Sequence, residues 1–280
     1  SSSLPLSVHL GRVPAVMTVP NLNFLRYPHL YTLSERIIAL RLYRRALRQA
    51  QRVITVSTPA REELSERLSI DPSKIEVMMP LAARVPQEPP VQAELEHTRR
   101  KYGLPESFIL MLGTVEPHHN HEAVLDALPA TESTAGVVIC GRRTVYSDFL
   151  LNYARKRHLA TRVDFIYELT PADLPALFRL ARVFAYLPDA RAEASIVPVV
   201  EALRAGLPMM LSDTRLNREA AGDAAVYVDP EAPGEVVAAL ENALCDESWR
   251  QAMRRRERRR AELFSEYAVA QRLMDIYTSL

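Results

Sequence analysis

From Phe108 onward the chain alternates short apolar runs with longer amphipathic stretches. Phe108-Ile109-Leu110-Met111-Leu112 predicts a buried strand ending at Gly113, and Gly136 to Cys140 a second one, ended by Gly141. Val163 to Ile166, Val183 to Tyr186, Pro208 to Leu211 and Ala225 to Val228 continue the series. Helices are predicted from Asn120 to about Leu128, from Asp148 to His158, from Thr170-Pro171 with Asp173 in its first turn, and from near Pro198 to Gly206. N-cap residues, early prolines and terminal glycines fall where a strand–helix–strand unit needs them. The alternation predicts a doubly wound parallel sheet.

The first eighty residues read differently. Val13 to Val19 and Val53 to Ser57 predict two strands joined through a long Arg-rich helix, Ser34 to Gln51. That is a thin basis for an independent domain. After Lys74 to Met79, the segment Pro80 to Pro90 carries four prolines and reads as an interdomain linker. Beyond a helix from Glu247 to Leu263, Ser265 to Leu280 predicts a separate capped helix.

Composition narrows the class. With 48% apolar and 25% charged residues the chain has the balance of a globular protein, and a net charge of +1 gives no reason to expect nucleic acid as a partner. No apolar window is long enough to cross a bilayer. The first residues, Ser1 to Leu6, lack the basic start and apolar core of a signal peptide. Cys140 and Cys245 are too few for a disulfide framework, so a cytoplasmic setting is expected.

Much nucleotide and hydrolase chemistry is excluded by spacing. Gly-x-Gly occurs nowhere, so the dinucleotide fingerprint is missing, and so is the Walker loop. Asp-x-Asp and Gly-x-Ser-x-Gly are missing too. His118-His119-x-His121 is a weak metal signal, with three histidines in a predicted loop and no fourth ligand. What remains is Glu193-Ala194-Ser195-Ile196-Val197-Pro198-Val199-Val200-Glu201, running on to Gly206-Leu207-Pro208. One carboxylate is expected in a loop and the other in the first turn of the next helix. Free N–H groups and the positive dipole end of that helix suit a phosphate. An acid just inside the helix can accept both ribose hydroxyls.

This stretch resembles the Glu-x7-Glu signature of family 4 retaining glycosyltransferases, usually Glu-Gly-Phe-Gly-Leu-Pro-Val-Leu-Glu-Ala. Other segments resemble the family in the same order. Leu112-Gly113-Thr114-Val115-Glu116-Pro117-His118-His119-Asn120 is similar to its Val-Gly-Thr-Leu-Glu-Pro-Arg-Lys-Asn. Ala221 to Pro230, Val53 to Ser57 and Val16 to Pro28 match further stretches. The resemblance implies a GT-B-like α/β fold. A partial N-terminal, acceptor-side domain would span 1–80 and a Rossmann-like nucleotide-sugar domain 81–263. A helix over 264–280 would return to the N-terminal part.

By the same resemblance Glu201 would bind the ribose, and Glu193 would contact the transferred sugar as the catalytic carboxylate. Backbone N–H groups of Ser195, Ile196 and Val197, together with Gly113, would face the diphosphate. His118 and His119 fall where the family places two cations, and Arg142 or Arg143, after the next strand, are candidates to supply that charge. The implied reaction is transfer from a nucleoside diphosphate sugar to a glycan or lipid-linked acceptor, with retention, no metal and no cofactor.

The chain departs from the family at Pro20 and Asn21, which replace its His-Asp pair, at His118 and His119, and at Ala194 and Ile196, which replace two loop glycines. It is also expected to lack the first half of the N-terminal domain with its Gly-rich loop. These departures support a second reading, a non-catalytic GT-B relative serving as a partner or scaffold subunit. Two arginine clusters complete the inventory. The basic segment Ser34 to Arg52 has an apolar side of Ile37, Ile38, Leu40, Leu42 and Leu47, which suits an anionic membrane surface at the inner face. Arg254 to Arg260 read as a solvated helix face.

Overall fold

Two parallel sheets carry the chain. The computed structural model describes residues 14–20, 22, 25, 31–81, 84–86, 88–189 and 195–280. They divide into two units, one of residues up to Pro80 with Glu266–Leu280, the other Leu81–Ser265. The second unit thus ends at Ser265 rather than at Leu263.

In the first unit, β1 (Val16–Thr18), β2 (Arg52–Thr55) and β3 (Ile75–Val77) pair in parallel in that order. The third strand adds to the two expected from sequence. α1 (Leu33–Gln49) connects β1 to β2, and α2 (Thr58–Leu68) connects β2 to β3. α1 starts where Thr32 can cap it: the Thr32 hydroxyl accepts the Glu35 N–H at 3.3 Å, and the Glu35 carboxylate accepts the Thr32 N–H at 2.7 Å. Its buried face is Ala39, Tyr43 and Leu47, at the four-residue spacing of one helix side. Ile37 and Ile38, expected on an apolar side with Leu47, are 43% and 55% exposed instead. Leu47 packs with Val19, Val53, Leu64, Leu68 and Ile75 into the core of this unit.

The second unit is a six-stranded sheet of β4 (Phe108–Leu112), β5 (Gly136–Cys140), β6 (Val163–Ile166), β7 (Val183–Tyr186), β8 (Met209–Ser212) and β9 (Val226–Val228). All pairs are parallel, in the order β6-β5-β4-β7-β8-β9. Its helices are α3 (Gln92–Tyr102), α4 (His121–Ala127), α5 (Val145–Lys156), α6 (Leu174–Leu180), α7 (Val197–Ala205), α8 (Arg215–Ala221), α9 (Pro233–Cys245) and α10 (Glu247–Ala261). α5 begins at Val145, three residues before its acidic residue Asp148, because Thr144 and Ser147 form a reciprocal cap. β4, β5 and β7 are buried almost throughout, and Ile109 of β4 sits opposite Val137 of β5 and Val183 of β7. This wholly apolar central register is what parallel strands covered on both faces require.

On α10 Arg255, Arg256, Arg258 and Arg259 are exposed, as expected of that cluster, while Arg254 and Arg260 are half-buried. Arg250 is 1% exposed and donates to the Ala243 carbonyl at 2.9 Å and to Glu247. Arg260 donates to the carbonyls of Ala220, at 2.9 Å, and Glu219, so it caps the C-terminal end of α8. Glu257, between them, is fully buried, and neither of its oxygens has a hydrogen-bond partner among the described residues. Burial pushes its carboxyl up to about 8, against the pull of Arg254 and Arg258. The last helix, α11 (Glu266–Thr278), belongs to the first unit, where Arg272 pairs with Glu76 of β3 at 2.7 Å.

Candidate functional site

The strand order reverses between β4 and β7, and in open parallel sheets the ligand crevice lies beyond the carboxyl ends of the strands at that reversal. β4 runs out into Gly113, whose φ of +149° favours glycine and whose N–H donates to the Cys140 carbonyl at 3.0 Å. Gly141, ending β5, is held more tightly still. A Cβ there would lie 1.7 Å from the Gly113 carbonyl oxygen, so the two strand ends abut backbone to backbone.

Beyond Gly113 the chain makes a single 3-10 turn, Pro117–His119, closed by Asn120 in the left-handed region at φ +51°. Asn120 tolerates that conformation better than most residues. Its Nδ2 donates to the Leu187 carbonyl at 2.8 Å, and the Asp189 N–H donates to the His118 carbonyl at 2.7 Å. The loops after β4 and β7 are therefore tied together. The His119 ring, paired through Nδ1 with the Thr114 carbonyl, lies 5.8 Å from the Tyr186 ring, and the Tyr186 hydroxyl donates to the Ser195 carbonyl at 3.1 Å. Gly113, His119, Tyr186 and Ser195 thus gather at the crevice, with His118 exposed beside them.

Burial lowers the His119 pKa from its ordinary 6.5, opposed by the Thr114 bond and helped by His118. Burial takes His121 down to about 3. Both rings are neutral at neutral pH. Among the described residues no group of three His, Cys, Asp or Glu is placed to hold a metal.

α7 brings the second half of the site. Ile196, its N-cap, is buried, and the Val197 N–H donates to the Ser195 hydroxyl at 3.3 Å. Pro198 has no N–H, so this helix start presents fewer donors than an ordinary one. Glu201 stands in the second turn, not the first, because the helix begins only at Val197. It is fully buried among Val199, Val200, Ala202 and Leu203. Such a carboxylate requires a partner. Arg84 supplies it: Nε donates to Oε1 at 2.6 Å and Nη2 to Oε2 at 2.8 Å. Burial raises the Glu201 pKa and Arg84 draws it back. The Arg84 charge also acts on the Cys140 thiol, which burial pushes up to about 12. Arg84 therefore stands near the carboxyl end of β5.

Sequence reasoning did not single out Arg84. It lies 117 positions before Glu201, in the proline-rich segment, and its one signal was indirect: an acid embedded in an apolar helix needs a cation from somewhere. Arg142 and Arg143 are exposed. Arg143 pairs with Asp148 at 2.7 Å and lies over the Tyr167 ring, with no contact to the crevice residues among those described. Glu193, Ala194 and Asn21 lie outside the described residues. A cavity of about 440 Å³ opens at the other end of α7, between Pro86, Glu88, Pro89 and Pro90 on one side and Arg204, Arg254 and Arg258 on the other, and holds none of the predicted site residues.

The family model of the glycosyl transferases group 1 matches residues 95–260. The chain belongs to this family. A model of glycosyltransferase family 4 matches residues 2–80. Among similar proteins, O-antigen chain mannosyltransferase B of Escherichia coli is 28% identical over 225 residues, 79% of this chain and 58% of that protein. A D-inositol 3-phosphate glycosyltransferase of Corynebacterium kroppenstedtii is 26% identical over 297 residues, 96% of this chain and 62% of that protein. The chain spans about three fifths of the length of these relatives. Anabaena HepE, crystallised with UDP and glucose, superposes with a TM-score of 0.76 at 16% identity, over 96% of this chain and 72% of that one. WaaG, a glycosyltransferase involved in lipopolysaccharide biosynthesis, gives 0.71 at 16% identity, over 94% and 75%. At these identities the likeness is one of fold, the Rossmann-like α/β architecture expected from the sequence.

Proposed function

We propose that this chain carries the nucleotide-sugar site of a retaining, metal-independent glycosyltransferase acting in polysaccharide biosynthesis. The donor is a nucleoside diphosphate sugar and the acceptor a glycan or lipid-linked glycan. The observation that carries this reading is Glu201, an acid held at the crevice end of a doubly wound sheet by a bidentate arginine. Membership of the glycosyl transferases group 1 supports it. Glu201 binds the ribose, and Glu193 contacts the transferred sugar. Backbone N–H groups at Ser195 to Val197 and Gly113 meet the diphosphate, with Arg142 or Arg143 adding charge. The leaving phosphate takes the acceptor proton, so the transfer needs no protein base.

In this reading residues 1–80 form the acceptor-side domain, and α1 lies on the inner face of a membrane. Leu33, Ile37 and Ile38 are exposed beside the exposed Arg41, Arg44, Arg45 and Arg48, an apolar and basic surface suited to anionic lipid. No helix among the described residues is long and apolar enough to cross a bilayer. Sedimentation with anionic vesicles at low salt tests the contact, which loss of binding to such vesicles refutes.

Calorimetry with UDP and GDP tests the site. One of the two should bind, and Glu201→Ala should weaken binding at least tenfold, the loss of a charge-assisted contact worth about 1.5–3 kcal/mol. Glu193→Ala should slow transfer more than it weakens binding. If neither nucleotide binds, the second reading takes over, that of a non-catalytic scaffold subunit. The neutral His119 at a cation position is the observation that favours it.

A further inference from the structure

We propose that Arg84 is a positioning residue of the nucleotide site, its guanidinium fixing the Glu201 carboxylate so that its remaining lone pairs meet the vicinal diol of a ribose. The inference rests on the reading of Glu201 as the ribose ligand. A carboxylate has about four lone-pair positions, two on each oxygen. Arg84 takes one on Oε1 through Nε and one on Oε2 through Nη2. One remains on each oxygen, held in a plane set by the guanidinium, and two such acceptors match the two adjacent hydroxyls of a ribose.

The placement of Arg84 suits that role. Pro80 and Pro86 flank it closely, and proline limits the backbone freedom of such a segment. Val85, the next residue, is 3% exposed and anchors the segment in the second unit. Arg84 itself keeps about half its side chain exposed while Glu201 keeps almost none, so the pair is open on the arginine side. Its charge also reaches Cys140, beside the Gly113 N–H at the crevice.

The pair also decides the charge of Glu201. α7 packs against α6, α8 and α10. The charged groups there are Arg179 of α6, Arg215, Arg218 and Glu219 of α8, and the arginines, Glu247 and Glu257 of α10. Among the described residues Arg84 alone acts on the Glu201 carboxyl; burial otherwise drives it towards the protonated form. A protonated acid turns one of its two acceptors into a donor and no longer fits a diol that donates twice.

The test is calorimetry with UDP and GDP on the native chain and on Arg84→Ala, Arg84→Lys, Glu201→Gln and the Arg84→Ala/Glu201→Gln double variant, from pH 7 to 9. Taking the ratio of variant to native affinity at each pH cancels the titration of the nucleotide. Arg84→Ala should bind ten- to a hundredfold more weakly at pH 7 and recover as pH rises and Glu201 ionises. Arg84→Lys should restore a flat profile with an affinity several-fold below native, keeping the charge and losing the fork. The double variant should bind no worse than Glu201→Gln alone. An Arg84→Ala affinity and pH profile equal to native overturn the proposal. So does tighter binding by Arg84→Ala, which makes Arg84 a plug. If Arg84→Ala does not fold, an Arg84→Lys indistinguishable from native in both affinity and profile overturns the fork geometry. Failure of the native chain to bind either nucleotide removes the ribose reading itself, an outcome separate from all of these.

Discussion

Replacing Glu257 with glutamine should reveal how much stability the second unit loses to one buried carboxyl. In the folded chain burial raises this group from its ordinary 4.5 to about 8. Between those values the folded state holds a proton that the unfolded state has released. Stability therefore falls as pH rises through the window, and no further once pH exceeds the folded value. One pKa unit corresponds to about 1.4 kcal/mol, so the cost is roughly 1 kcal/mol at pH 5 and roughly 4 kcal/mol at pH 8. Glutamine keeps the shape and removes the titration. Denaturant unfolding followed by Trp249 fluorescence is the assay, since this residue, the chain's one tryptophan, lies on α10 with Glu257 and packs on the main core. The native protein should lose about 3 kcal/mol between pH 5 and pH 8 relative to Glu257→Gln. A stability difference that stays constant across that range refutes the reasoning, whatever its size.

Two further substitutions test the crevice. Gly141→Ala drives a methyl group into the Gly113 carbonyl, 1.7 Å away, and should cost about 3 kcal/mol or more, read as a lower unfolding midpoint with loss of nucleotide binding. Asn120→Ala removes the 2.8 Å bond to the Leu187 carbonyl and leaves alanine in a left-handed conformation, so a loss of roughly 2 kcal/mol is expected in the same measurement. A change below about 0.5 kcal/mol in either would show that these contacts do not hold the crevice.

Much of the second unit was legible in sequence because its strands are apolar and bounded by glycine. Phe108 to Leu112 and Gly136 to Cys140 end at glycines that the backbone needs, so composition and geometry agree at each boundary. β3 was harder to read: Ile75-Glu76-Val77 is too short to carry a pattern and becomes a strand only by pairing with β2. On α1 the isoleucines were read on one apolar side with Leu47, but packing buries Ala39 and Tyr43 with Leu47 and leaves Ile37 and Ile38 exposed. At the site, Glu201 was found and its turn misplaced, because the local signals do not fix whether Ser195 and Ile196 join the helix. Arg84 depended on a pairing across 117 positions, for which no local pattern exists.

The seam joining the His118–Asn120 turn to Leu187–Asp189 couples two loops that the sheet order alone would leave independent. Any insertion in the histidine turn must drag Asp189, and with it the entry to the segment that leads to Ser195. The two lips of the crevice consequently share one floor, and change on either side must be compatible with the other. Variation among relatives at this place should therefore come in matched pairs of loop lengths, not in one loop at a time.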